Sequence, residues 1–91
     1  ADILAIGAIK GLFDAGKSVP NDYSIVGFDD VEVAQYLTPG LTTIRQQISL
    51  KGQRAVELLL KHIENPALPK QEEILPLELI QRGSVRNLNA K

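Results

Sequence analysis

The sequence predicts an α/β fold organised on a parallel sheet. A helix-like segment from Asp2 to Ala15 is followed, after a short loop, by the apolar run Ile25-Val26-Gly27-Phe28. Helix, loop and short buried strand in that order make half of a repeating α/β unit. A second helix pattern, Ile48 to Glu64, lies between two further strand-like stretches, Leu41 to Gln46 and Glu73 to Ile80.

Each element has a local cause. Asp2 is the expected N-cap of the first helix and Gly16 its stop. Its apolar residues fall in two stripes at spacings of three and four. One is Ala5, Ala8, Leu12 and Ala15, suited to lying on the sheet; the other is Ile6, Ile9 and Phe13. Two apolar faces call for two partners. Val19-Pro20-Asn21-Asp22 reads as a turn, and Tyr23 to Phe28 as a strand buried on both faces. Asp30 is the expected cap of a short helix, Val31 to Leu37, which Pro39-Gly40 ends. Leu41 to Gln46 is rich in Thr and Ile, as strands are. In the second helix Ile48, Gly52, Ala55, Val56, Leu59 and Ile63 follow the helical repeat, and the small Gly52 and Ala55 suggest a flat partner such as a sheet. Asn65-Pro66 ends that helix. Leu75, Leu77 and Leu79 alternate along the last strand, where Pro76 suggests an edge position. Asn87 to Lys91 is a polar tail expected to fray.

Composition narrows the chemistry. The chain has 91 residues, 44% of them hydrophobic, and a net charge of -1. No block of Lys and Arg is present to grip a nucleic-acid backbone. With no cysteine, disulfide frameworks and thiolate metal sites are excluded. The single histidine, His62, reads as a solvated helix residue, and no serine has a base close in sequence. Neither a metal, a cofactor nor catalysis is expected, and no membrane span appears. Asp29 is the best candidate for a site. It follows directly on the Ile25–Phe28 strand, and open α/β sheets bind ligands beyond the carboxyl ends of their strands. A carboxylate there can accept hydrogen bonds from two neighbouring hydroxyls, which suits a sugar or nucleoside. The competing reading makes Asp29 and Asp30 turn and cap residues.

Four pieces in order resemble the bacterial repressors of the LacI/GalR family. They are Asp2-Ile3-Leu4-Ala5-Ile6-Gly7-Ala8 with its helix, and Val19-Pro20-Asn21-Asp22 leading to Ile25-Val26-Gly27-Phe28-Asp29-Asp30. The others are Pro39-Gly40-Leu41-Thr42-Thr43-Ile44-Arg45-Gln46, with Gly52 and Ala55 following, and Leu79-Ile80-Gln81-Arg82-Gly83-Ser84-Val85. The resemblance implies a periplasmic-binding-protein-like domain of two lobes with parallel sheets, in which an effector occupies the cleft. Residues 1–45 and 73–86 would belong to the C-terminal lobe. Residues 46–66 would cross over and supply a helix to the N-terminal lobe, and 87–91 would be the tail.

The resemblance further implies a cytoplasmic transcriptional repressor of carbohydrate metabolism. Its small-molecule effector would be a sugar or related metabolite, held chiefly by Asp29. Gln46 at the crossover and Ala1, where the family often has Asn, are weaker candidates. The run Thr42 to Gln47 is similar to that of ribose-type repressors. Operator DNA would be read by a helix-turn-helix domain outside these residues. A homodimer would form through Ile6, Ile9, Lys10 and Phe13, flanked by Leu37. The alternatives are a periplasmic sugar-binding transport protein and an enzyme on a doubly wound fold.

Overall fold

The computed structural model describes residues 1–89; of the predicted tail, Ala90 and Lys91 lie outside the described residues. The elements in order are helix α1 (Asp2–Asp14), a 3-10 turn (Glu32–Tyr36), strand β1 (Thr43–Arg45), helix α2 (Ile48–Glu64) and strand β2 (Glu78–Ile80). They fall into two units, Ala1–Arg45 with the residues from Glu78 onward, and Gln46–Leu77. Glu73 to Leu77, expected to begin the last strand, belongs to the second unit and is not strand.

In the first unit α1 ends as its sequence foretells. Gly16 takes a left-handed φ of 76°. Its N–H donates to the Phe13 carbonyl and that of Lys17 to Leu12, so two orphan carbonyls of the last turn are satisfied. The start differs from expectation. Ala1 is the N-cap, and Asp2 is the first helical residue, fully buried. The inward line of α1 therefore runs Asp2, Ala5, Ile9, at the same three-and-four spacing as the expected stripe. Ala8 and Ala15 are exposed. The spacing alone allowed either face, and the polar contacts of Asp2 decide between them.

The core of this unit is Ala5, Ala34 and Leu41, with Ile9, Ile25, Val31 and Leu37 packed against it. Leu41 is fully buried and its N–H donates to the Ala34 carbonyl, which ties the 3-10 turn to the strand that follows. The cap of that turn is Val31, not Asp30, because the Asp30 carboxylate is taken up by two arginines.

Strands β1 and β2 pair antiparallel, Thr43 with Ile80 and Arg45 with Glu78. The expected parallel partner, Tyr23 to Phe28, is extended without forming a strand; single parallel bridges join Val26 to Thr42, just before β1, and Asp29, just after the segment, to Arg45 in β1. The N–H groups of Gly27 and Asp29 donate to the Thr42 and Ile44 carbonyls, while that of Ile25 turns to Ser84. Burial along this segment alternates. Ile25 and Gly27 are at least half-buried, whereas Val26 and Phe28 are exposed, so within its unit the segment is buried on one face.

The second unit is α2 and the loop that folds back along it. Helix α2 has the predicted limits. Arg54 binds the Glu73 carboxylate through Nε and Nη2, the latter at 2.8 Å, and also meets Glu57 one turn on. The Gln47 amide donates to the Pro76 carbonyl. The half-buried side is therefore Arg54, Glu57, Leu58 and His62, and a His62 ring nitrogen pairs with the Leu58 carbonyl. The apolar stripe is on the outside. Ile48, Val56, Leu59 and Ile63 are between 56% and 65% exposed, so within its unit that face has no cover.

Candidate functional site

Four residues, Phe28 to Val31, turn the chain at the carboxyl end of the extended segment. Asp29 has φ 126° and Asp30 φ 58°, values that side-chain-bearing residues seldom adopt. Such conformations cost about 1–3 kcal/mol each and persist only where the surroundings dictate them. Here every residue of the turn is held. Phe28 accepts the Asp2 N–H at 3.1 Å, and the Asp29 N–H donates to Ile44 at 2.8 Å. The Asp30 N–H reaches Thr43 Oγ1 at 3.4 Å, and the Val31 N–H donates to Asp2 Oδ2 at 2.8 Å. Thr43 Oγ1 in turn donates to Asp2 Oδ1 at 2.6 Å.

The buried Asp2 carboxylate fits because residue 27 has no side chain. A Cβ on Gly27 would lie 2.1 Å from Asp2 Oδ1 and 2.9 Å from Leu41 Cδ2.

Asp30 holds the outer side of the turn. Its carboxylate accepts Arg45 Nε at 2.8 Å and Arg82 Nη2 at 2.9 Å, and its side chain is only 8% exposed. Burial pushes its pKa up, but the hydrogen bonds and charges of the two guanidiniums outweigh this and hold it below the ordinary value. Arg82 is fixed further by bonds from its Nη1 to the Leu41 carbonyl and from its N–H to Thr42 Oγ1. Arg45 also reaches Glu78 at 3.6 Å. The fully buried Ser84 joins the three extended segments. Its hydroxyl donates to the Ile25 carbonyl at 2.6 Å and accepts the Thr42 N–H at 2.8 Å.

Asp29 is thus a half-buried carboxylate at a strand end, on a turn fixed at each peptide. Ala1 lies beside the turn by way of Asp2 but offers no polar side chain, and its carbonyl is occupied by the Ala5 N–H. Gln46 opens the second unit. There it lines a cleft of about 400 Å³ with Leu58, Leu75 and Leu77, and its amide oxygen accepts Lys51 Nζ at 3.3 Å.

The five dimer-face candidates separate. Ile9 and Leu37 are half-buried and pack against the core of their own unit. Ile6 is half-buried. Phe13 is 73% exposed, with Lys10 Nζ 5.8 Å from its ring centre and 2.7 Å from Asp14.

Sequence reasoning missed Asp2, Thr43, Arg82 and Ser84 as builders of the site. A signal for Asp2 was present, since it sits on the line through Ala5 and Ile9 that the helix turns inward. The others were visible only as parts of motifs. Among the described residues no helix is long and apolar enough to cross a membrane.

Comparison with known proteins agrees with this architecture. Residues 1–85 match the family described as periplasmic binding protein-like domain. The HTH-type transcriptional repressor PurR of Glaesserella parasuis is 40% identical over 97% of the chain, which spans 28% of that protein. The ribose operon repressor of Escherichia coli K12 is 39% identical over 91% of the chain, covering 25% of its own length. A crystal structure of a LacI family transcriptional regulator from Enterococcus faecium with bound ribose superposes with a TM-score of 0.82 at 43% identity, over 97% of this chain and 33% of that one. The chain therefore spans about a quarter to a third of the length of these proteins. Its relatives are transcriptional repressors, and the chain itself belongs to the periplasmic binding protein-like domain family in the form found in LacI-type regulators.

Proposed function

We propose that the chain is the C-terminal part of the effector-sensing domain of a cytoplasmic transcriptional repressor of carbohydrate metabolism, and that Asp29 is its principal effector contact. The observation that carries this reading is the Phe28–Val31 turn. It holds a carboxylate at the carboxyl end of a parallel-bridged segment on backbone that is costly to form and bonded at each residue. Fixing a group in advance is what ligand recognition requires. A carboxylate in that place accepts paired hydroxyls, and the resemblance to ribose repressors puts pentoses first.

In this reading the first unit belongs to the C-terminal lobe and α2 to the N-terminal lobe, whose remainder lies outside these residues. Operator DNA is bound through a helix-turn-helix domain also outside them, and the regulator works as a homodimer. No chemistry on the effector is needed, only a difference in affinity between two states of the protein.

The full-length regulator is titrated calorimetrically with whichever of ribose, glucose, galactose and lactose raises its melting temperature most. Asp29→Ala should weaken binding by about 10- to 100-fold, since a hydrogen bond to a charged group contributes about 1.5–3 kcal/mol. Unchanged affinity would remove Asp29 from the site. Failure of all four sugars to bind would reject the sugar-sensing function.

A further inference from the structure

Asp2 is fully buried, ionisable and outside the proposed effector contacts. Two of its three bonds go to the same short stretch of chain, and the third goes to β1. Its N–H holds the Phe28 carbonyl, one residue before Asp29; its Oδ2 holds the Val31 N–H, two residues after. Its Oδ1 accepts the hydroxyl of Thr43, the same oxygen that the Asp30 N–H approaches. One residue therefore brackets Asp29 on both sides, and a threonine of β1 completes the clamp. Asp29 and Asp30 adopt their left-handed conformations inside that bracket.

The packing around this clamp is specific. The gap at Gly27 admits Asp2 Oδ1, and a Cβ there would overlap it. A neutral apolar side chain at position 2 would leave the Val31 N–H and the Thr43 hydroxyl without these partners, and the two costly backbone conformations would lose part of what holds them.

We propose that Asp2, acting with Thr43, is a positioning residue for the Asp29 carboxylate: it sets effector affinity without touching the effector, by holding the Phe28–Val31 turn. This inference rests on the reading of Asp29 as the effector contact. It also makes the start of α1 part of the sensing apparatus, since the residue that opens the helix is the one that shapes the turn.

The test is a double-mutant cycle in the full-length regulator, using the sugar selected by melting temperature as above. Asp2→Asn should weaken binding about 5- to 10-fold in the otherwise unchanged protein and by less than about 2-fold when Asp29 is already alanine. Thr43→Val, which removes the hydroxyl at similar volume, should behave in the same way, and Thr43→Ser, which restores it, should bind as tightly as the parent. Equal losses with and without the Asp29 side chain would show a general structural effect and overturn the inference, as would full affinity in both Asp2→Asn and Thr43→Val. Should Asp2→Asn fail to fold, the Thr43 pair decides alone. If Asp29→Ala by itself leaves affinity unchanged, the functional reading falls and this inference falls with it; a loss in Asp29→Ala beside full affinity in the clamp variants rejects the positioning role only.

Discussion

Replacing Ser84 by alanine removes a hydroxyl that serves two backbone groups. Its oxygen accepts the Thr42 N–H at 2.8 Å and its proton goes to the Ile25 carbonyl at 2.6 Å, in a place with no exposure to solvent. The substitution leaves a hole smaller than a water molecule and two backbone groups without these partners. Each orphaned buried group costs about 1–3 kcal/mol, and a carbonyl tolerates the loss better than an N–H. The sum, allowing for some local relaxation, is about 2–4 kcal/mol. Urea unfolding of the full-length regulator's sensing domain, followed by circular dichroism, should show a lower midpoint with an unchanged slope. Arg86→Ala, at an exposed position close in sequence, is the control and should lie within about 0.5 kcal/mol of the parent. A Ser84→Ala protein that is equally close to the parent would refute the claim that this hydroxyl joins the extended segments.

Gly27→Ala should cost at least about 1–3 kcal/mol through overpacking, because the new methyl collides with Asp2 and Leu41; a melting temperature equal to the parent's would contradict the tight approach. Asp30 has a folded pKa below its unfolded one, so its contribution to stability is complete above the unfolded value and is lost as pH falls through the folded one. The stability gap between the parent and Asp30→Asn should therefore be constant at neutral pH and shrink below about pH 4; a gap unchanged down to pH 3 would show that the carboxylate charge is not what the arginines hold. Ile9→Glu should unfold the sensing domain, since Ile9 packs on the core, whereas Phe13→Glu should leave it folded and shift sedimentation toward the monomer. A folded dimer in Phe13→Glu would place the interface elsewhere.

The parts legible in the sequence were those governed by local signals. Helix α2 followed from an apolar period bounded by Asn65-Pro66, and the end of α1 from Gly16. Asp29 stood out because it follows an apolar run directly, and that position has a known use in α/β folds. The remainder depended on partners distant along the chain. Asp2 reads as a cap in isolation, and only Phe28, Val31 and Thr43 turn it into a buried clamp. Asp30 reads as a second cap, and only Arg45 and Arg82 draw its carboxylate away. The start of the last strand differs from the pattern for a similar reason. The run to Ile80 carries the alternation of a strand from Leu75 onward, but pairing begins at Glu78, opposite Arg45, and runs antiparallel. Alternation records which side chains share a face; it contains nothing about which neighbour they meet.

The most direct test of the account is a crystal structure of the intact sensing domain with its sugar effector bound. Both Asp29 carboxylate oxygens should lie within about 2.5–3.0 Å of sugar hydroxyls, on a turn where Asp29 and Asp30 keep their positive φ and Asp2 still holds Phe28 and Val31. An effector seated with no hydroxyl within hydrogen-bonding distance of Asp29 would contradict it.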